Sequence, residues 1–127
     1  MRFRLYMPAD FAALYAIELV CFDPPFRFPR RYMQRLVDAA NAACWIAEDE
    51  SDMAGFAIVE WTPRPDGVSA YIVTIEVAPA YRRRGVAAEL MRCVEASACE
   101  AGATTIWLHV AADNAAAMRL YEAHGFV

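Results

Sequence analysis

A mixed α/β (α+β) domain, with a mostly antiparallel sheet that carries one parallel strand pair and is flanked by helices, is what these 127 residues predict. Three observations lead there. Residues 71–77, Tyr-Ile-Val-Thr-Ile-Glu-Val, are β-branched or aromatic at most positions and stop before Pro79, and helical spacing takes over from Val86. Beyond that helix residues 104–111 read as another strand, and a strand, helix, strand unit brings its strands parallel through a right-handed crossover. Ahead of it, the patterns at 43–48, 53–61 and 71–77 are joined by short turns, which makes three antiparallel neighbours.

The remaining elements follow in order. Residues 2–6 alternate and read as a strand. From Pro8, which suits a first helical turn, Phe11, Leu14, Tyr15, Glu18 and Leu19 fall at helical spacing as far as Cys21. Residues 22–29, Phe-Asp-Pro-Pro-Phe-Arg-Phe-Pro, hold three of the seven prolines within six residues, so a stiff aromatic loop without regular structure is expected. A helix resumes over 30–40 with Tyr32, Met33, Leu36 and Val37 as its apolar stripe. The acidic run 48–52 and the run 62–67, Thr-Pro-Arg-Pro-Asp-Gly, supply the hairpin turns. In the next helix Val86, Leu90, Cys93, Val94 and Ala98 share a face and Gly102 stops it; a last helix over 114–124 ends at Gly125.

At this length the chain reads as one domain, residues 1–127, with room for a single core. Hydrophobic residues at 59% against 22% charged place it among folded proteins and not disordered ones. Charges break every apolar run before 18 residues, and the opening Met-Arg-Phe-Arg-Leu-Tyr lacks an apolar core followed by a cleavage site, so a cytoplasmic protein without a membrane partner is expected. A net charge of −4 argues against nucleic acid as a partner and makes the arginines local tools. Cys21, Cys44, Cys93 and Cys99 show no paired CxxC spacing, and His109 and His124 are too few for a zinc pattern; no metal is expected, and the thiols read as buried and reduced. All 12 basic residues are arginine, so the only primary amine on the chain is its own N-terminus.

The join between the strand at 71–77 and the helix from Val86 carries the most chemistry. Gly85 lets a backbone come close to a ligand, the first amides of the helix are donors without partners, and the helix dipole adds partial positive charge at the same point. Arg82, Arg83 and Arg84 add full charges. Together these make a phosphate-binding device. A Walker-type loop is excluded because it needs lysine and there is none; a dinucleotide fingerprint needs three glycines opening the first βα unit, and here one glycine opens a late one. From this segment alone, an exposed basic turn that merely caps a helix stays open.

Strand, Arg82-x-x-Gly85-x-Ala87, helix, strand, then Asn114-x-x-Ala117-x-x-x-Tyr121-Glu122-x-x-Gly125-Phe126: in this order and spacing the chain resembles the GNAT superfamily of N-acetyltransferases over residues 1–126. In motif it is closest to the protein N-terminal acetyltransferases of the ribosomal-protein-alanine type. The resemblance implies acetyl-coenzyme A as co-substrate, held where two parallel strands splay apart. Backbone groups of Ile75 and Val77 would pair with the pantetheine arm as an added strand does. Amides of Arg83, Arg84, Gly85, Val86, Ala87 and Ala88 would receive the pyrophosphate, with the side chains of Arg82, Arg83 and Arg84 reinforcing them. Asn114 and Ala117 would border the same ligand, although Asn114 at a helix start reads equally well as an N-cap.

The same resemblance assigns the chemistry. Tyr121 matches the tyrosine that gives a proton to the departing thiolate, and a backbone amide near Val77 would polarise the thioester carbonyl. Tyr71 and His109 match the pair that orders a proton-accepting water in N-terminal acetyltransferases; His109 as a plain packed strand residue is the alternative. Magnitudes fit that acceptor. Freeing an α-amine of pKa near 8 at pH 7 costs about 1 kcal/mol, whereas a lysine near 10.4 costs about 4 to 5. Glu76 is the competing base, but strand alternation points it away from Tyr71, toward an arginine or solvent. Phe26 and Phe28 are expected either to wall an acceptor pocket or to cap the core. His124 reads as a favourable charge at a helix C-terminus.

Members of the superfamily continue past Gly-Phe with a further strand, turn and strand, whereas this chain stops at Val127. The expectation is a domain truncated at its C-terminus, its open edge either bare or covered by a second copy in a homodimer. Three functional readings remain: acetyl transfer to a protein or peptide α-amine, transfer to a small-molecule amine, and an acetyl-coenzyme A-binding module without turnover.

Overall fold

The computed structural model describes residues 1–110 and 114–126. Its elements are β1 (Arg2–Leu5), α1 (Phe11–Cys21), α2 (Arg30–Asp38), β2 (Ala42–Asp49), β3 (Asp52–Arg64), β4 (Gly67–Val77), α3 (Val86–Glu100), β5 (Ala103–Trp107) and α4 (Ala115–Ala123). The five strands lie in sequence order in one sheet, antiparallel from β1 to β4 and parallel between β4 and β5.

Each face of the sheet buries one layer. On one side α3 packs Val86, Leu90, Met91, Val94 and Ala98 against Ala57, Val59, Ala70 and Ile72. On the other, α1 and α2 bring Phe11, Leu14, Ile17, Met33 and Leu36 onto Ile46, Phe56 and Ile58. Each of these large side chains contributes roughly 1.5–3 kcal/mol by leaving water. Leu19, expected on the inner stripe of α1, is exposed, and Glu18 is fully buried in the same turn of helix.

Several expectations are corrected. Pro24 to Phe26 form one 3-10 turn inside the aromatic loop, because a proline at the first position of a turn costs no hydrogen bond. β3 runs through Pro63 to Arg64, so the hairpin tip is only Pro65 and Asp66. Cys44 is buried, but Cys99 is exposed. β5 ends at Trp107, short of the expected strand, and Ala111 lies outside the described residues.

The most consequential correction concerns β4. Ile58 pairs with Thr74 and Val59 with Ile72, so Val73 is an extra residue, a β-bulge. The bulge reverses the alternation. Ala70 and Ile72 before it, and Ile75 and Val77 after it, face α3. Tyr71, opposite Glu60, and Glu76, opposite Phe56, therefore share the α1 face, against the expectation from plain alternation. Gly55 permits this packing: a Cβ there would lie 2.4 Å from the Glu76 carbonyl oxygen.

Candidate active site

β4 and β5 pair only from Val68 and Ala103 up to Tyr71 and Trp107. The Ala78 amide donates to the Ala54 carbonyl at 2.8 Å, so alternate pairs in that register, Val77 with Gly55 and Ile75 with Ala57, turn their amides and carbonyls away from β3. Among the described residues they meet no strand there. The gap is the splay that the resemblance implies.

At the far end of β4, residues 82–85 close a loop in which Arg83 (φ 64°) and Gly85 (φ 80°) are both left-handed. At Gly85 this positive φ, and not crowding, requires glycine, since nothing lies within 4 Å of where a Cβ would be. α3 starts on Gly85 without a side-chain cap, and its first backbone bond runs from the Glu89 amide to the Gly85 carbonyl. The amides of Val86, Ala87 and Ala88 are thus left for a ligand, at the positive end of a 15-residue helix.

These features line a groove of about 580 Å³ that also takes in Ile75, Val77, Arg82, Arg83, Asn114, Ala117 and Tyr121. The three arginines behave differently. Arg82 turns inward, its Nε donating to the Val77 carbonyl at 3.1 Å and its Nη2 reaching Cys21 Sγ at 3.5 Å. The Val77 carbonyl is therefore already engaged by the chain itself, unlike the open Ile75. Arg84 lies over the Tyr81 ring, 5.3 Å from its centroid, outside the groove. Only Arg83 combines a place in the groove with an uncommitted guanidinium among the described residues.

A second cavity of about 340 Å³ lies on the α1 side of the splay, walled by Phe22, Phe26 and Phe28 from the aromatic loop, Tyr71, Thr74 and Ile75 from β4, and His109. Phe28 also packs on Tyr32, ring centroids 5.2 Å apart, so it serves the core and the cavity together; Phe26 is 74% exposed and caps nothing. Tyr71 stacks on Trp107 at 4.3 Å, and His109 meets both rings edge-on, at 5.8 and 5.3 Å. His109 sits two residues beyond β5, not on the strand, because pairing with β4 ends at Trp107.

The two spaces share a wall. Phe22, Ile75, Asn114, Ala117 and Tyr121 line both. Asn114 is an N-cap, its Oδ1 accepting from the Ala117 amide at 3.1 Å, and it still borders both cavities. Burial pushes the Tyr121 hydroxyl above its ordinary pKa of 10, and burial does the same for Tyr71, so both stay protonated at neutral pH. His124 Nδ1 lies 2.9 Å from Glu95 Oε1 at the end of α4, away from both cavities.

Sequence reasoning missed Cys21, Phe22 and Trp107, and it misplaced Glu76. The Glu76 carboxyl is buried on the α1 side and pushed up to about 9, by burial first and the neighbouring Glu18 carboxyl second. The signal in the sequence was Glu18, a charged residue on an apolar helical stripe.

Among the described residues no helix is long and apolar enough to cross a membrane, and no group of His, Cys, Asp or Glu could hold a metal ion. A parallel pair that parts above a glycine-opened helix, with an aromatic cavity sharing one wall with the groove, defines the class of α/β fold. Comparison with known proteins narrows the class: residues 11–126 match the acetyltransferase (GNAT) family, and the chain belongs to it. A streptothricin acetyltransferase of Streptomyces lavendulae is 39% identical over 77 residues, 61% of this chain and 40% of that protein. A ribosomal protein bS18-alanine N-acetyltransferase of Escherichia coli K12 is 38% identical over 74 residues, 58% of this chain and 47% of that one. The chain thus spans less than half the length of these curated relatives. An aminoglycoside N-acetyltransferase solved in complex with CoA superimposes with a TM-score of 0.83 at 18% identity, over 99% of this chain and 91% of that one, which shows a shared fold.

Proposed function

We propose that this chain is an acetyl-coenzyme A-dependent N-acetyltransferase whose acceptor is the α-amine of a protein or peptide with an apolar first side chain. The observation that carries the reading is the shared wall: Tyr121 borders both the anion-binding groove and the aromatic cavity. A proton donor common to two sites suits transfer between two ligands.

Each group then has a task. The unpaired amides of Val86, Ala87 and Ala88, with Arg83, hold the pyrophosphate, and the Ile75 backbone pairs with the pantetheine amides. Tyr121, protonated at neutral pH, supplies the proton for the thiolate that leaves when the amine attacks. Tyr71 and His109, whose rings meet edge-on, order the water that takes the amine's proton. Phe26 and Phe28 receive the first side chain.

No carboxylate lines the aromatic cavity among its described residues. A polycationic acceptor would enter such a cavity with its charges unpaired, so the α-amine of a peptide is favoured over aminoglycoside-like amines. The names of two relatives, which act on streptothricin and aminoglycosides, support the small-molecule reading instead. Coenzyme A release from acetyl-coenzyme A, followed with short peptides of varied first residue and with a panel of aminoglycosides and polyamines, decides between them. Turnover confined to peptides with free α-amines is expected; preference for polycations would overturn the acceptor assignment, and binding without turnover would overturn the enzyme reading.

A further inference from the structure

Glu18 and Glu76 are given no task in the reaction proposed above, although Glu76 borders the groove; both are buried, and a carboxyl that leaves water must keep its proton or find donors. Each has found one. The Thr74 hydroxyl donates to Glu76 Oε2 at 2.8 Å, and the Phe28 amide donates to Glu18 Oε2 at 3.0 Å. The other oxygen of each, Oε1, has no partner among the described residues. The two carboxyls are neighbours, one on α1 and one on β4, and burial with Glu18 close by keeps the proton on Glu76. The other titratable groups that face them are Cys21 on α1 and Cys44 on β2, both pushed up by burial and hence neutral, and Arg82, which is committed to the Val77 carbonyl and Cys21.

The two donors, Thr74 and Phe28, both line the aromatic cavity. Phe28 is held from its other side as well, its carbonyl accepting from the Tyr15 hydroxyl at 2.8 Å. α1 therefore grips a single loop residue by both backbone groups. An apolar side chain in place of Glu18 would fill a similar volume but leave the half-buried Phe28 amide without its acceptor.

We propose that Glu18 and Tyr15 are positioning residues that set the width of the acceptor cavity by fixing Phe28 on α1. The proposal rests on that cavity being the acceptor site. Its test is steady-state kinetics of folded variants, together with coenzyme A binding by calorimetry. Glu18→Leu is expected to raise the acceptor KM roughly tenfold and Tyr15→Phe about threefold, with kcat and coenzyme A affinity within about twofold of the parent. Glu18→Gln, which still accepts from the Phe28 amide, is expected to keep KM near the parent value. Should Glu18→Leu fail to fold, Tyr15→Phe, which deletes one hydroxyl, carries the test. An unchanged acceptor KM, or KM, kcat and coenzyme A affinity moving together, would overturn the proposal. If the parent turns over small amines and no peptide, the peptide assignment fails alone, and the same split measured with that amine judges the positioning claim.

Discussion

Replacing Glu76 by glutamine is expected to remove a pH dependence of stability that the parent carries. The folded carboxyl is pushed from an ordinary 4.5 up to about 9, so across that window the folded chain keeps a proton that the unfolded chain releases. The sign follows from the raised pKa: the contribution is complete below 4.5 and is lost as pH rises through about 9. Its slope is 2.303RT for one proton, about 1.4 kcal/mol per pH unit, or about 3 kcal/mol between pH 6 and 8. Against the 5–15 kcal/mol typical of a domain, roughly, that loss is easily measured. Glutamine has the same shape, stays neutral, still accepts from Thr74 and can donate to Glu18. Urea unfolding of parent and Glu76→Gln at pH 6, 7 and 8 reads this term together with any change it causes in the neighbouring Glu18 carboxyl. The difference in unfolding free energy should shift in favour of the variant by about 1.4 kcal/mol per unit. Parallel pH profiles would show that Glu76 is ionised in the fold and that its environment has been misread.

Tyr121→Phe is expected to slow kcat by about 10²–10⁴, the usual worth of a general acid, with coenzyme A affinity unchanged by calorimetry. Arg83→Ala should weaken coenzyme A binding about tenfold and lower its salt dependence, whereas Arg84→Ala, removing a guanidinium that lies on Tyr81, should change it less than about twofold. Gly55→Ala, whose methyl would meet the Glu76 carbonyl at 2.4 Å, should cost on the order of 2–4 kcal/mol in chemical unfolding.

What could be read from the chain without a structure depended on how local the cause was. The β4, loop, α3 join was legible because β-branched residues, Pro79 and Gly85 act within a few positions of themselves. The parallel β4 and β5 pair followed from the intervening helix alone. The face of Glu76 was not legible, because one bulged residue, Val73, inverts the alternation, and the bulge is set by packing against β3. The aims of the arginines were hidden for a similar reason: three identical side chains in a row go to a carbonyl, a groove and an aromatic ring, and those partners come from other segments. Tyr71 and His109 lie in contact, while Trp107, which packs against both, carries no motif of its own.

Initial rates with acetyl-coenzyme A on one peptide, presented with its α-amine free and again with that amine blocked but a lysine side chain added, test the central claim most directly. Coenzyme A release with the free α-amine and none above background with the blocked, lysine-bearing peptide is the expected outcome. Equal rates on both, or no release on either, would contradict it.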